Sequence, residues 1–334
     1  MDDRQALVDM LNADLRDEHA SVIRYLIHAY QAGEDTPLGS MLLSMAREEM
    51  WHMDWLADAI GEMGAEPDMN PGVYPHDPTS TASLLRSYIE WEAGLVKAYA
   101  EQAEKVSDPE IKRVLMQQSK ESNVHMQRFE AALAKLGPEG EEPLVYEDTG
   151  EFSPNMLGRL QDEMTDEYKL VLQHLRHAFV LEEEHPEMGE LELVAMRHMK
   201  HLSHFAEELA ESGHEPKFEA PDMDMSRDIE PALKADLDLT QDARERFVTL
   251  SQDPELEEHT GLKIEVENMI IQEEFLAATI EELQEESEEE EAAAGAISPG
   301  VPAETVKEQA PAALEKEPAS PLGKLTVGSL IKSE

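Results

Sequence analysis

The strongest constraint on this 334-residue chain is that it resembles itself. A shift of 149 positions, which sets Glu18 on Glu167, carries two amphipathic segments onto two others without a gap. Leu11, Val22 and Leu26 fall on Leu160, Val171 and Leu175, and His28-Ala29-Tyr30 falls on His177-Ala178-Phe179. Ala46, His52 and Ala57 fall on Ala195, His201 and Ala206, and the stop signal Gly64-Ala65-Glu66-Pro67 falls on Gly213-His214-Glu215-Pro216. Coincidence at one offset across two segments and the turn that ends them points to a duplicated unit, with residues 155–286 as the second copy.

The repeated unit reads as helical. Leu7, Leu11, Leu15, Val22, Leu26 and Ala29 recur at helical spacing and predict a helix over 5–32. A turn containing Gly33, Pro37 and Gly39 leads to a second helix from Ser40 to Met63, stopped by Gly64. A Pro/Gly/Asn/Asp loop over 65–80 precedes a third helix over 81–106. Ser107-Asp108-Pro109 then opens a fourth, which runs to Leu136 and ends at Gly137-Pro138. Helix pairs on short turns with one longer crossover predict a four-helix bundle. The expectation is an all-α chain of two tandem bundles, residues 1–140 and 150–286.

Composition removes several function classes. With 74 acidic residues against 27 basic ones the formal charge is −47, a field that repels nucleic acid and anionic membranes. The same field concentrates cations, and it also keeps a protein soluble in a salt-rich cytoplasm; the two readings are compatible. The absence of cysteine removes disulfides, thiolate metal sites and thiol nucleophiles. No run approaches the ~20 apolar residues that span a bilayer, and Met1-Asp2-Asp3-Arg4 does not open a signal peptide. A cytoplasmic protein is expected. The 18 methionines suit core filling better than haem ligation.

Chemistry concentrates on helix faces. Glu49-Met50-Trp51-His52 is an E-x-x-H, and three residues apart on a helix both side chains share a face. Carboxylates with an imidazole suit iron or manganese. Glu18 interrupts the apolar stripe of the first helix, Glu92 lies on the third, and Glu121 and His125 lie on the fourth. A two-metal bundle uses one Glu from each of two helices and a Glu-x-x-His from each of the others. Asp17-Glu18-His19-Ala20-Ser21-Val22-Ile23-Arg24-Tyr25 and Arg47-Glu48-Glu49-Met50-Trp51-His52-Met53-Asp54-Trp55-Leu56 resemble the bacterioferritin/rubrerythrin ferritin-like superfamily over residues 1–136. The resemblance implies a di-iron centre, with manganese as the other candidate, ligated by Glu18, Glu49, His52 and Glu92. In the family's pattern a Glu precedes the fourth-helix His by three residues; here that position is Ser122, and Glu121 is four before His125. Glu121 and His125 are expected to complete the second ion, with Glu92 bridging.

The second copy departs further. Glu167 and His201 match Glu18 and His52, but His198 stands at the Glu49 position and Thr240 where a Glu is expected. Glu267 is followed by Ile270 in place of His, while His174, His177, His198, His201 and His204 crowd two helices. Two readings stay open: an altered site built on Glu163, Glu167, His198 and His201, or a bundle that has lost its metal.

The C-terminal region has another character. An acidic run from Glu285 gives way to an Ala/Pro/Gly/Glu stretch, and residues 287–324 read as a disordered linker. The chain then turns apolar over residues 325–334: Leu325-Thr326-Val327-Gly328-Ser329-Leu330-Ile331-Lys332-Ser333-Glu334. An apolar motif on a tether typically docks in a groove of another protein. This one resembles an encapsulin cargo-loading peptide, which implies that Leu325, Val327, Gly328, Ser329, Leu330 and Ile331 bind a shell protein. The combined expectation is an iron-binding cargo protein inside an encapsulin nanocompartment, oxidising Fe²⁺ with O₂ or peroxide, and able to form a homo-oligomer. The alternatives are a metal-buffering or adaptor cargo, and a rubrerythrin-like peroxidase.

Overall fold

The computed structural model describes residues 4–219 and 221–295, with side chains up to residue 289. The C-terminal motif at 325–334 and most of the linker lie outside the described residues. The chain divides into a unit over Met1–Glu291 and a second over Ala292–Glu334.

Among the described residues there are eight α-helices and no strand: α1 Arg4–Ala32, α2 Pro37–Glu62, α3 Thr81–Lys105, α4 Pro109–Leu133, α5 Pro154–Leu181, α6 Glu190–Glu211, α7 Ile229–Ser251 and α8 Thr260–Gly295. They form two ferritin-like four-helix bundles, α1–α4 and α5–α8. Among the described residues, no helix is long and apolar enough to cross a membrane.

Local chemistry sets the helix ends. α2 begins at Pro37 rather than Ser40, because Thr36 caps it, its hydroxyl accepting from Gly39 N at 3.0 Å, and Pro37 fits the first turn. Ser80, Asp108 and Ser153 cap α3, α4 and α5 in the same manner. Gly64 and Gly213, partners in the 149-residue repeat, stop α2 and α6 with φ of +61° and +83°. At the other end of the unit, α8 carries the acidic run on to Gly295 as helix, where the sequence had suggested linker from 287. Glu and Ala favour helix without needing a core to join.

α1 and α5 are buried nearly all round. Residues 18–22 and 24–30 of α1 are buried, as are most of residues 167–179 of α5. Such helices lie inside a larger body rather than on its surface. The reason is that the two bundles pack on each other, α1 against α6 and α2 against α5, with one apolar cluster running from Leu7 to Met269 through both. His19 Nε2 lies 2.7 Å from the Tyr168 hydroxyl. The 149-residue shift sets His19 on Tyr168, so these two matched positions face each other across the interface. Tyr30 and Ser203 pair at 2.8 Å, and the buried Arg176 guanidinium holds the Glu66 carboxylate at 2.5 and 3.0 Å.

The tightest point of this interface is Gly61, where an added Cβ would meet the Phe179 carbonyl oxygen at 2.0 Å. Backbone meets backbone there, so no side-chain rotation relieves it. Gly61→Ala is expected to cost about 1–3 kcal/mol, read by chemical denaturation. An unchanged midpoint and slope would contradict this packing of the bundles.

Candidate metal centre

In the first bundle, one interior point receives side chains from four helices: Glu18 from α1, Glu49 and His52 from α2, Glu92 from α3 and His125 from α4. All five are buried completely. Glu18, Glu49 and His52 present ligand atoms within 4.8 Å of one another, as do Glu49, Glu92 and His125. Glu49 belongs to both groups. Its Oε2 lies 2.7 Å from His52 Nδ1 and its Oε1 2.9 Å from His125 Nδ1. His52 Nδ1 is 3.4 Å from Glu18 Oε2, and His125 Nδ1 is 3.6 Å from Glu92 Oε1.

These atoms face a common point more than they face each other. Glu18 Oε2, both oxygens of Glu49, Glu92 Oε2 and the Nδ1 atoms of His52 and His125 make no hydrogen bond of acceptable geometry. Buried polar atoms without partners are costly. A pair of divalent cations would partner all of them, with Glu49 spanning the two ions. The donor set of carboxylates and imidazoles fits iron or manganese.

Further atoms of the same groups are tied down. Tyr99 donates to Glu18 Oε1, and Tyr25 donates to Glu92 Oε1 at 2.6 Å. His52 Nε2 meets Glu121 Oε2 at 2.8 Å, and His125 Nε2 meets Glu48 Oε2 at 2.8 Å. Each ring therefore turns Nδ1 inward, its orientation set by a carboxylate behind it. Arg128 holds Glu48 from outside at 3.1 Å.

Two sequence expectations change in detail, and one bracing residue is new. Glu121 is not among the converging groups: one residue off the inward face of α4, it backs His52 and stays partly exposed. Glu49, and not Glu92, is the carboxylate common to both ligand groups, so it would be the one placed to bridge. Glu48 was not foreseen as the brace of His125; only its place beside Glu49 hinted at it. Ser122 occupies the inward position one turn before His125, buried and with its hydroxyl unpartnered.

The second bundle gathers Glu167, His198, His201 and Glu273, all buried and mutually within 4.8 Å. Glu163 does not join them; it faces Arg246 at 3.2 Å, beside Asp166. Glu267 is exposed. Glu273 escaped the sequence reading because α8 follows a different shift from α5 and α6. A shift of 151 sets Leu115, Gln118, Ser122, His125 and Phe129 of α4 on Val266, Met269, Glu273, Leu276 and Ile280 of α8, all of them buried. That register was the available signal.

Residues 8–137 match the model of the family described as Ferritin: Ferritin-like domain. The first bundle is thus a ferritin-like domain whose buried carboxylate and imidazole groups are compatible with iron binding. No curated protein and no solved structure matches the chain.

Without metal, the centre balances its charges with protons. Burial, then the neighbouring Glu49 charge, push Glu18 up to about 8 and Glu92 up to about 7. Burial would also raise Glu49, but His125 and His52 outweigh it and hold that carboxyl well below its ordinary range. For His52, burial is overcome by Glu18 and Glu121, and for His125 by Glu49 and Glu48, so both stay cationic. An arriving cation must displace protons from Nδ1 of each ring and from the two raised carboxyls. Metal affinity should therefore climb as pH rises from about 6 to about 8. Titration calorimetry with Mn²⁺ in buffers of different ionisation enthalpy should report net proton release; binding without it would contradict this charge balance.

Proposed function

We propose that the first bundle oxidises Fe²⁺, which is its substrate, and that the chain is carried into an encapsulin shell by its C-terminal motif. One observation carries the first half: two ligand triads share a single carboxylate, Glu49, inside a sealed helical core. Fe²⁺ bound through Glu18, Glu49 and His52, beside Fe²⁺ bound through Glu49, Glu92 and His125, puts two one-electron donors on one bridge. Together they can deliver two electrons to O₂, which takes two protons and leaves as hydrogen peroxide. Anionic ligands favour the higher charge of Fe³⁺ and so drive the oxidation. The formal charge of −47 would raise the local Fe²⁺ concentration around the protein.

Stopped-flow mixing with Fe²⁺ in air should give a fast phase saturating near two irons per chain. Glu49→Ala with His52→Ala should abolish that phase, since it removes the shared ligand and one imidazole. Unchanged kinetics would exclude this centre. Ser122 favours a second reading, a metal buffer, because the position holds a hydroxyl in place of another carboxylate. In that case Fe²⁺ would bind without rapid oxidation.

The cargo half rests on Leu325-Thr326-Val327-Gly328-Ser329-Leu330-Ile331 at the end of a Pro- and Glu-rich tether. Deleting residues 325–334 should leave helicity and metal binding intact while abolishing co-purification with a co-expressed shell protein. Continued packaging of the truncated chain would overturn it.

A further inference from the structure

We propose that Glu167, His198, His201 and Glu273 form a separate site in the second bundle that holds one first-row divalent transition-metal ion. The four groups come from α5, α6 and α8. His198 Nδ1 lies 2.9 Å from Glu167 Oε2, and His201 Nδ1 lies 3.4 Å from that atom and 3.0 Å from Glu273 Oε1. Yet Glu167 Oε1, His201 Nδ1 and both oxygens of Glu273 make no hydrogen bond of acceptable geometry, though they are sealed from water. Two carboxylates buried without a cation are unfavourable. The nearby Arg246 fills that role only in part, since its Nη2 pairs with Glu167 Oε1 at 3.7 Å while its Nε faces Glu163 and Asp166.

The rings around the site are set for ligation. His201 Nε2 pairs with Gln272 Oε1 at 3.0 Å, which directs Nδ1 to the centre, as Glu121 does for His52. His198 is braced by His174, stacked on it at 5.2 Å, and His174 in turn lies 3.3 Å from Asp236. Two imidazoles with two carboxylates complete a four-coordinate shell for an ion such as Zn²⁺, and the imidazoles disfavour Mg²⁺ and Ca²⁺.

The site is built for one ion and not two. A shift of 148, which sets Tyr99 on Phe247, places Thr240 at the Glu92 position, and the shift of 151 places Leu276 at the His125 position. Both ligands unique to the second ion of the first bundle are therefore missing. The spanning carboxylate is missing too, since His198 stands where Glu49 does. Glu273, standing at the Ser122 position, supplies in exchange the carboxylate that α4 lacks. A lone ion here has no partner with which to deliver two electrons together; it links α5, α6 and α8 as a resident cation. The assignment does not depend on iron oxidation in the first bundle.

Full-length Glu49→Ala/His52→Ala protein, stripped and then loaded with Zn²⁺, should retain one ion per chain, and Zn²⁺ should raise its melting temperature. Adding Glu273→Gln should weaken that binding by about 100-fold or more and remove the thermal shift. Retention of the ion in this triple variant would overturn the assignment. Should the variants fail to fold, Zn²⁺-loaded crystals of the unaltered chain carry the test. An anomalous peak among the four side chains is expected; no peak there, or a pair of peaks, would overturn the proposal.

Discussion

Three carboxylates buried within reach of one point cannot be reconciled with a stable core unless positive charge joins them. Glu18, Glu49 and Glu92 impose that condition on the first bundle, and the rest of its interior is arranged around it. His52 and His125 provide the charge as cations while no metal is bound, and their Nδ1 atoms would serve as ligands to one. Glu121 and Glu48, behind them, suit both states, because Nε2 keeps its proton throughout. Tyr99 and Tyr25 each hold one oxygen of Glu18 and Glu92. Rigidity of the carboxylates thus comes from groups that do not themselves reach the ions.

Pairing of the bundles supports the same centre. α1 carries Glu18 on one face and, with His19, meets α5 and the second bundle on another, so the helix is fixed from both sides. The approach of Gly61 to Phe179 sets how closely α2 and α5 lie, and α2 carries both Glu49 and His52. A chain holding two bundles joins them at a fixed ratio, whereas separate chains would have to meet by diffusion.

Much of this was legible in the sequence, for identifiable reasons. Glu49 and His52 stood out as an E-x-x-H and Glu18 as a break in an apolar stripe, and the gapless 149-residue shift of α1/α2 onto α5/α6 then pointed to Glu167, His198 and His201. Glu92 and His125 followed from their helix faces. What stayed hidden depended on register after a loop of altered length. Glu273 emerges only at a shift of 151, and Glu48 and Glu121 flank the inward faces of their helices, where a one-residue step turns a ligand into a brace. The extension of α8 to Gly295 was missed because composition reports the lack of a core and not the lack of a helix.

The two bundles differ in a complementary way at the fourth-helix Glu and His positions. In α4 the His is kept as His125 and the Glu is replaced by Ser122; in α8 the Glu is kept as Glu273 and the His is replaced by Leu276. Random decay of a spare site would leave carboxylates replaced by apolar groups of similar size, since an unpartnered buried charge is penalised more than a cavity-filling side chain. The second bundle instead exchanged a carboxylate for His198 and kept Glu167 and Glu273 buried. It has no counterpart of Glu92 or His125 and holds a set of groups that would suit one ion. Selection for packing alone does not produce that pattern. That pattern agrees with the two proposals: ligands suited to paired ions in the first bundle and to a single cation in the second.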